Sequence, residues 1–155
     1  MENSGNTIYK EICENDKLLV KDLLKTVNMG CLAIDVTREF VSSSEFGDYL
    51  KELERNYNDY NDKCVSFMRD NRIPEDILAS VKEALQRSAI KISMMGTKSD
   101  EKVSEQLLKG TTMGIEVIGK NLNQSEHYSP ELRALAEDIE GFLERSEKDL
   151  RRWLA

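Results

Sequence analysis

Chemistry in this chain has few residues to draw on. The single histidine, His127, sits beside Tyr128 in a polar stretch, and the sequence identifies no partner that would make it an acid–base catalyst. The cysteines Cys13, Cys31 and Cys64 are odd in number and have no CxxC spacing. They read as reduced thiols, not as a disulfide or zinc set. Asp35, Glu54 and Glu140 flank apolar stripes and are weak candidates for a metal site. Their ordinary reading is solvent-facing charge at the edge of a core. Cys31, Tyr57, Tyr60, Thr111 and Ser146 take inward positions on those stripes. They form either a polar layer, whose hydroxyls bond each other, a carbonyl or a trapped water, or the lining of a small ligand cavity. Tyr57 and Tyr60 also suit a plain core or a subunit interface. No nucleophile elbow, phosphate-binding glycine loop or dinucleotide fingerprint is present, so no catalytic residue and no cofactor is assigned.

The positioning elements are helical. The stretch from Leu18 to Val41 contains no proline, and Val20, Leu24, Val27, Cys31, Ile34 and Val41 keep a four-three spacing broken only at Arg38. That spacing lines one side of a helix. Asn15 or Asp16 can cap it, residues 1–6 are expected to be loose, and Ile8, Tyr9 and Ile12 suit a short turn leading in. Ser42-Ser43-Ser44-Glu45 is a break and a new start, followed by Phe46, Leu50, Leu53, Tyr57, Tyr60, Cys64 and Phe67 in register. Pro74 opens a third helix with Glu75 and Asp76 in its first turn, and Gly96 closes it. Leu108, Thr111, Ile115, Ile118 and Leu122 mark the next face, with Gly110 and Gly114 read as points of close approach or as a local distortion of the helix. Ser129-Pro130-Glu131 starts the last helix, with Leu132, Ala136, Ile139, Leu143, Ser146, Leu150 and Trp153 in unbroken register. The expectation is one all-α domain over 1–155, with helices at about 16–41, 44–70, 75–95, 99–122 and 130–154.

Composition narrows the partners. With 29 acidic and 22 basic residues the net charge is −7, and the basic residues are dispersed. Such a chain repels phosphate backbones and anionic membranes, so neither nucleic acid nor membrane is expected. No apolar run is long enough for a membrane span and the first residues carry no signal pattern. With reduced thiols, a cytoplasmic location is expected.

The helix at 75–95 stands where an up-down bundle would have a short loop. A long second-to-third connection lets the third long helix run parallel to the second. In this order of elements the chain resembles the ferritin-like superfamily, and more narrowly the small bacterial ferritin-like bundles of unknown function, some of them stress-associated. The stretches that carry the resemblance are SSSEFGDYLKELERNYNDY, LASVKEALQRSAIKI and SPELRALAEDIEGFLERSEKDL. It implies an up-down-down-up four-helix bundle with an extra helix in the crossover. The superfamily's di-metal sites take a Glu from each of two helices and a Glu-x-x-His from each of the other two. This chain has no Glu-x-x-His, so the metal residues cannot be carried over.

The expected role is a non-enzymatic structural or interaction module, in a stress response if it follows the resemblance. The alternatives are a metal-binding oxidoreductase or storage protein with an atypical carboxylate site, and a small-ligand sensor using the bundle core. Tyr49, Val65, Met68, Leu78, Ala89 and Met95 fall off the main stripes. This surplus predicts a two-fold homodimer through the crossing helix or the outer face of the second helix.

Overall fold

The first apolar stripe lies in a helix longer than the stripe itself. In the computed structural model, which describes residues 3–92 and 98–154, α1 runs unbroken from Asn3 to Thr37 and closes in a 3₁₀ turn, Arg38–Phe40. The expected cap at Asn15 or Asp16, and the loose segment and short turn before it, are replaced by continuous helix from Asn3 onward. The reason is that both side chains serve another helix end. Asn15 Nδ2 donates to Ser125 Oγ at 3.1 Å and to the His127 carbonyl at 2.9 Å. Asp16 Oδ1 accepts from the Ser129 N–H at 3.0 Å. Burial lifts the Asp16 carboxyl above its usual range, against the pull of that hydrogen bond.

Four further helices follow: α2 (Ser44–Asp70), α3 (Asp76–Ile92), α4 (Asp100–Gln124) and α5 (Pro130–Leu150), the last ending in a 3₁₀ turn, Arg151–Trp153. There is no strand among the described residues. Three starts are capped by serine. Ser43, Ser99 and Ser129 accept from the backbone N–H groups of Phe46, Lys102 and Leu132 at 3.2, 3.2 and 3.3 Å. α3 begins at Asp76, two residues later than the first-position reading of Pro74. Its expected end at Met95 and the stop at Gly96 lie outside the described residues. α2 ends with Arg72 at φ 54°, in the left-handed region where glycine is usual, and Ile73 N–H closes on the Met68 carbonyl at 2.9 Å.

Contacts along the helices give their directions. Asn28 meets Asn61 and Arg38 meets Glu54, so α1 and α2 run oppositely. Asn121 donates to Asp22 while Ser99 N–H donates to the Phe40 carbonyl, so α1 and α4 also run oppositely. Ser104 Oγ donates to the Leu150 carbonyl and Thr112 Oγ1 to Glu147, which makes α4 and α5 antiparallel. Phe46 stacks on Trp153 and Tyr57 meets Phe142, which does the same for α2 and α5. α3 packs along α1.

The expected inward faces of α1, α2 and α5 are buried, with Cys31, Tyr60, Val41 and Trp153 at the half-buried edge. α4 differs. Its buried face is Val103, Ser104, Leu107, Thr111, Gly114 and Ile118, while the expected Leu108, Ile115 and Leu122 are only half-buried. The true face keeps helical spacing but carries serine and glycine, so apolarity alone points about one residue away from it. Four of the six surplus residues pack within the chain. Tyr49, Val65 and Leu78 pack against the core and Met68 is buried. Ala89's side chain and Met95 lie outside the described residues.

Candidate functional site

The middle of the bundle is crossed by one side chain. Tyr57 leaves α2 with its ring flat against Gly30 of α1, where an added Cβ would overlap Cζ, Cε1 and Cε2 of the phenol. Its hydroxyl faces Thr111 on α4, and the Phe142 ring of α5 meets it edge-on at 5.0 Å. All four long helices therefore converge on one tyrosine. Burial pushes its pKa up to about 12.

The other members of the expected polar layer are satisfied close to home. Thr111 Oγ1 donates to the Leu107 carbonyl at 2.7 Å and Ser146 Oγ donates to the Phe142 carbonyl at 2.8 Å, each within its own helix. With those protons committed, Tyr57 and Tyr49 are the donors left where they face Thr111 and Ser146. Tyr60 sits nearer the surface, its ring tilted against Phe142 at 5.2 Å. Cys31 is also peripheral: its thiol donates to Asn58 Oδ1 at 3.3 Å and is pushed up to about 11, by burial first and then by Glu54 and Asp35. These residues form a layer with its hydroxyls directed locally, not one continuous cluster.

The carboxylate candidates divide. Asp35 and Glu54 come together, but around a cation already present: Arg38 Nη2 lies 2.6 Å from Glu54 Oε2 and 3.8 Å from Asp35 Oδ1. Partial burial and the neighbouring Asp35 carboxyl raise the Glu54 pKa against the opposing effect of Arg38. Glu140 stands apart on α5 beside Gly119, its pKa raised by burial and by Glu144 and Glu137. Among the described residues, no group of three or more His, Cys, Asp or Glu side chains is gathered as a metal-ligand set. At mid-bundle the inward groups are a phenol ring, a phenylalanine ring and a threonine bonded to its own helix. These do not fit a di-metal carboxylate centre.

His127 does have a partner, which sequence reasoning missed because it lies more than a hundred positions away. Its Nδ1 is covered from solvent and 3.2 Å from Glu11 Oε2, close enough for an ion pair when the ring is protonated but not aligned as a hydrogen bond. With Asn15 and Asp16 it clasps α1 to the α4–α5 connection.

Two cavities flank the bundle centre. One, of about 370 Å³, follows the α2–α5 seam between Tyr49, Asn56, Tyr60, Arg145 and Asp149. The other, of about 530 Å³, opens between α1 and α4 and has mainly apolar walls. Its floor is Ile34, Leu53, Tyr57, Leu107 and Leu143, and its mouth is lined by Met29, Gly110, Met113 and Val117. Gly110 and Gly114, alike in sequence, differ here. A Cβ on Gly114 would meet Thr26 Cγ2 at 2.8 Å and Leu143 Cδ1 at 3.1 Å, whereas one on Gly110 would meet nothing within 4 Å. Gly114 lets the helices close and Gly110 leaves the gap. The sequence signal for this cavity was Gly30, Gly110 and Gly114 beside Met29 and Met113. Set against known protein families, curated proteins and solved structures, the chain matches none.

Proposed function

We propose that this chain is a ferritin-like bundle, up-down-down-up with α3 as the crossover helix, that works as a non-enzymatic binding module and not as a metal oxidoreductase. The observation that supports this reading is the Tyr57 phenol lying against Gly30 at mid-bundle, where a di-metal centre would need carboxylates and histidines. Three free cysteines suit a reducing, cytoplasmic setting, and no described helix is long and apolar enough to cross a membrane. Elemental analysis of protein purified without chelator tests the reading. Substoichiometric iron, manganese and zinc are expected. A stoichiometric metal lost on Asp35→Ala or Glu54→Ala would overturn it in favour of an atypical carboxylate site.

A second reading, a sensor that takes a small ligand into the bundle, is favoured by the apolar α1–α4 cavity. Its volume of about 530 Å³ falls within the ~300–1,000 Å³ of small-molecule sites.

A further inference from the structure

The α1–α4 cavity combines apolar walls with a rim on which two lysines stand against one aspartate. Lys25 on α1 and Lys109 on α4 line it, and among the described residues neither has a carboxylate within ion-pair distance. The one rim carboxylate, Asp22, accepts from the neutral Asn121 amide at 2.9 Å, which leaves the rim net positive by one charge. In a chain of net charge −7, two unpaired lysines flanking an apolar opening are a local reversal of sign. The mouth carries Met29 and the 58% exposed Met113, flexible thioethers that adapt to an apolar body of variable shape.

We propose that this cavity binds a small amphipathic carboxylate, its apolar body against the Leu107–Leu143 floor and its carboxylate at the rim lysines. This rests on the second reading, a bundle that takes a small ligand into the α1–α4 cavity, and supplies that ligand's class. The carboxylate stays at the mouth because the floor offers a phenol and a threonine but no cation. Lys25 and Lys109 donate charge-assisted hydrogen bonds to it, each weakened by its partial exposure to water.

The test uses the full chain with three probes of equal length: dodecanoate, dodecanol and dodecylammonium. Titration calorimetry should give saturable one-to-one binding of dodecanoate, with weaker binding of the alcohol and least of the amine. Methionine-methyl NMR should show the Met29 and Met113 resonances moving along the same isotherm while Met68, buried at the far end of α2, stays still. Lys25→Gln with Lys109→Gln should weaken dodecanoate roughly threefold to tenfold and leave dodecanol unchanged. Gly110→Leu, placed where a Cβ meets nothing, should abolish binding of all three probes without lowering Tm. Equal affinity for the acid and the alcohol would overturn the carboxylate assignment. Binding with no movement at Met29 and Met113, or no binding at all, would overturn the site, and the NMR decides this even if Gly110→Leu misfolds. These failures leave the metal analysis unaffected, so a wrong ligand is distinguishable from a wrong reading of the bundle.

Discussion

The α2–α5 seam and the α1–α4 seam close the same bundle with opposite materials. Between α2 and α5 the contacts are ring on ring: Phe46 stacks on Trp153 at 4.3 Å, Tyr49 tilts against the same indole at 5.1 Å, and Phe142 holds Tyr57 and Tyr60. Arg152 covers the outer edge, 4.5 Å above the Trp153 ring. Between α1 and α4 the contact is backbone-near, through Gly114 against Thr26, and the neighbouring Gly110 leaves the 530 Å³ cavity unfilled. Large rings hold two helices apart and fill much of the space they make, leaving a smaller cavity of about 370 Å³ walled by Asn56, Arg145 and Asp149 as well as by the tyrosines. Glycine draws two helices together and, one turn on, leaves a space that nothing fills. The first seam is suited to rigidity, the second to taking something in.

The largest expected effect lies on the aromatic side. Phe142→Ala removes the ring that supports both tyrosines and should cost ~3–5 kcal/mol in urea unfolding. A cost near that of an exposed site, under about 1 kcal/mol, would mean that the rings are not what holds this seam.

Alkaline pH probes the same side. Tyr57 binds its proton more tightly in the folded chain, with a pKa of about 12, than in the unfolded chain, where tyrosine titrates near ~10. Its contribution is therefore complete below about pH 10 and is lost as pH rises toward 12. Cys31 at about 11 and Cys64 at about 12 act with the same sign. For Tyr57 alone the loss is roughly 2–3 kcal/mol across that window. Tyr57→Phe should flatten that part of the stability–pH curve, and an unchanged slope would place the titration elsewhere.

The glycines then sharpen the contrast by sign. Gly30→Ala drives a methyl into the Tyr57 ring and should cost ~1–3 kcal/mol, with Gly114→Ala in the same direction. Gly110→Ala meets open space and should gain ~1 kcal/mol from helix propensity. Thermal melts of the three single variants check this, and a loss at Gly110 would deny the cavity. The smallest expected effect is Arg72→Gly, which relieves a left-handed non-glycine residue and should gain somewhat under ~1 kcal/mol.

These contrasts explain what was legible in the sequence. The α5 register from Leu132 to Leu150 was legible, because its inward positions are apolar or a small hydroxyl with helical spacing, but the buried Phe142 beside Leu143 was not read as part of it. The serine starts of α2 and α5 were equally legible, because a cap is a local device. On α4, Thr111 and Ile118 were read correctly, but Leu108, Ile115 and Leu122 were taken for the inward face, because Ser104 and Gly114 occupy it and neither registers as apolar. The start of α1 was misplaced because Asn15 and Asp16 look like local caps, and their true partners, Ser125 and Ser129, are distant in the chain. The cavity was legible only as three glycines. Which of them opens space depends on what stands opposite, and that is a property of the packed helices.

The Asp16–Ser129 clasp spans 113 positions and so has a consequence for synthesis. At ~5–20 residues per second, a ribosome needs roughly 6–23 seconds after making Asp16 before its partner exists. Throughout that interval α1 carries a stripe that only α4 and α5 can finish covering, and α2 and α3 shield it incompletely. The nascent chain is therefore most vulnerable to mispairing just before its last helix emerges. Pausing ahead of Pro130 would lengthen that exposure, and stop codons in α5 should yield aggregates and not shortened bundles.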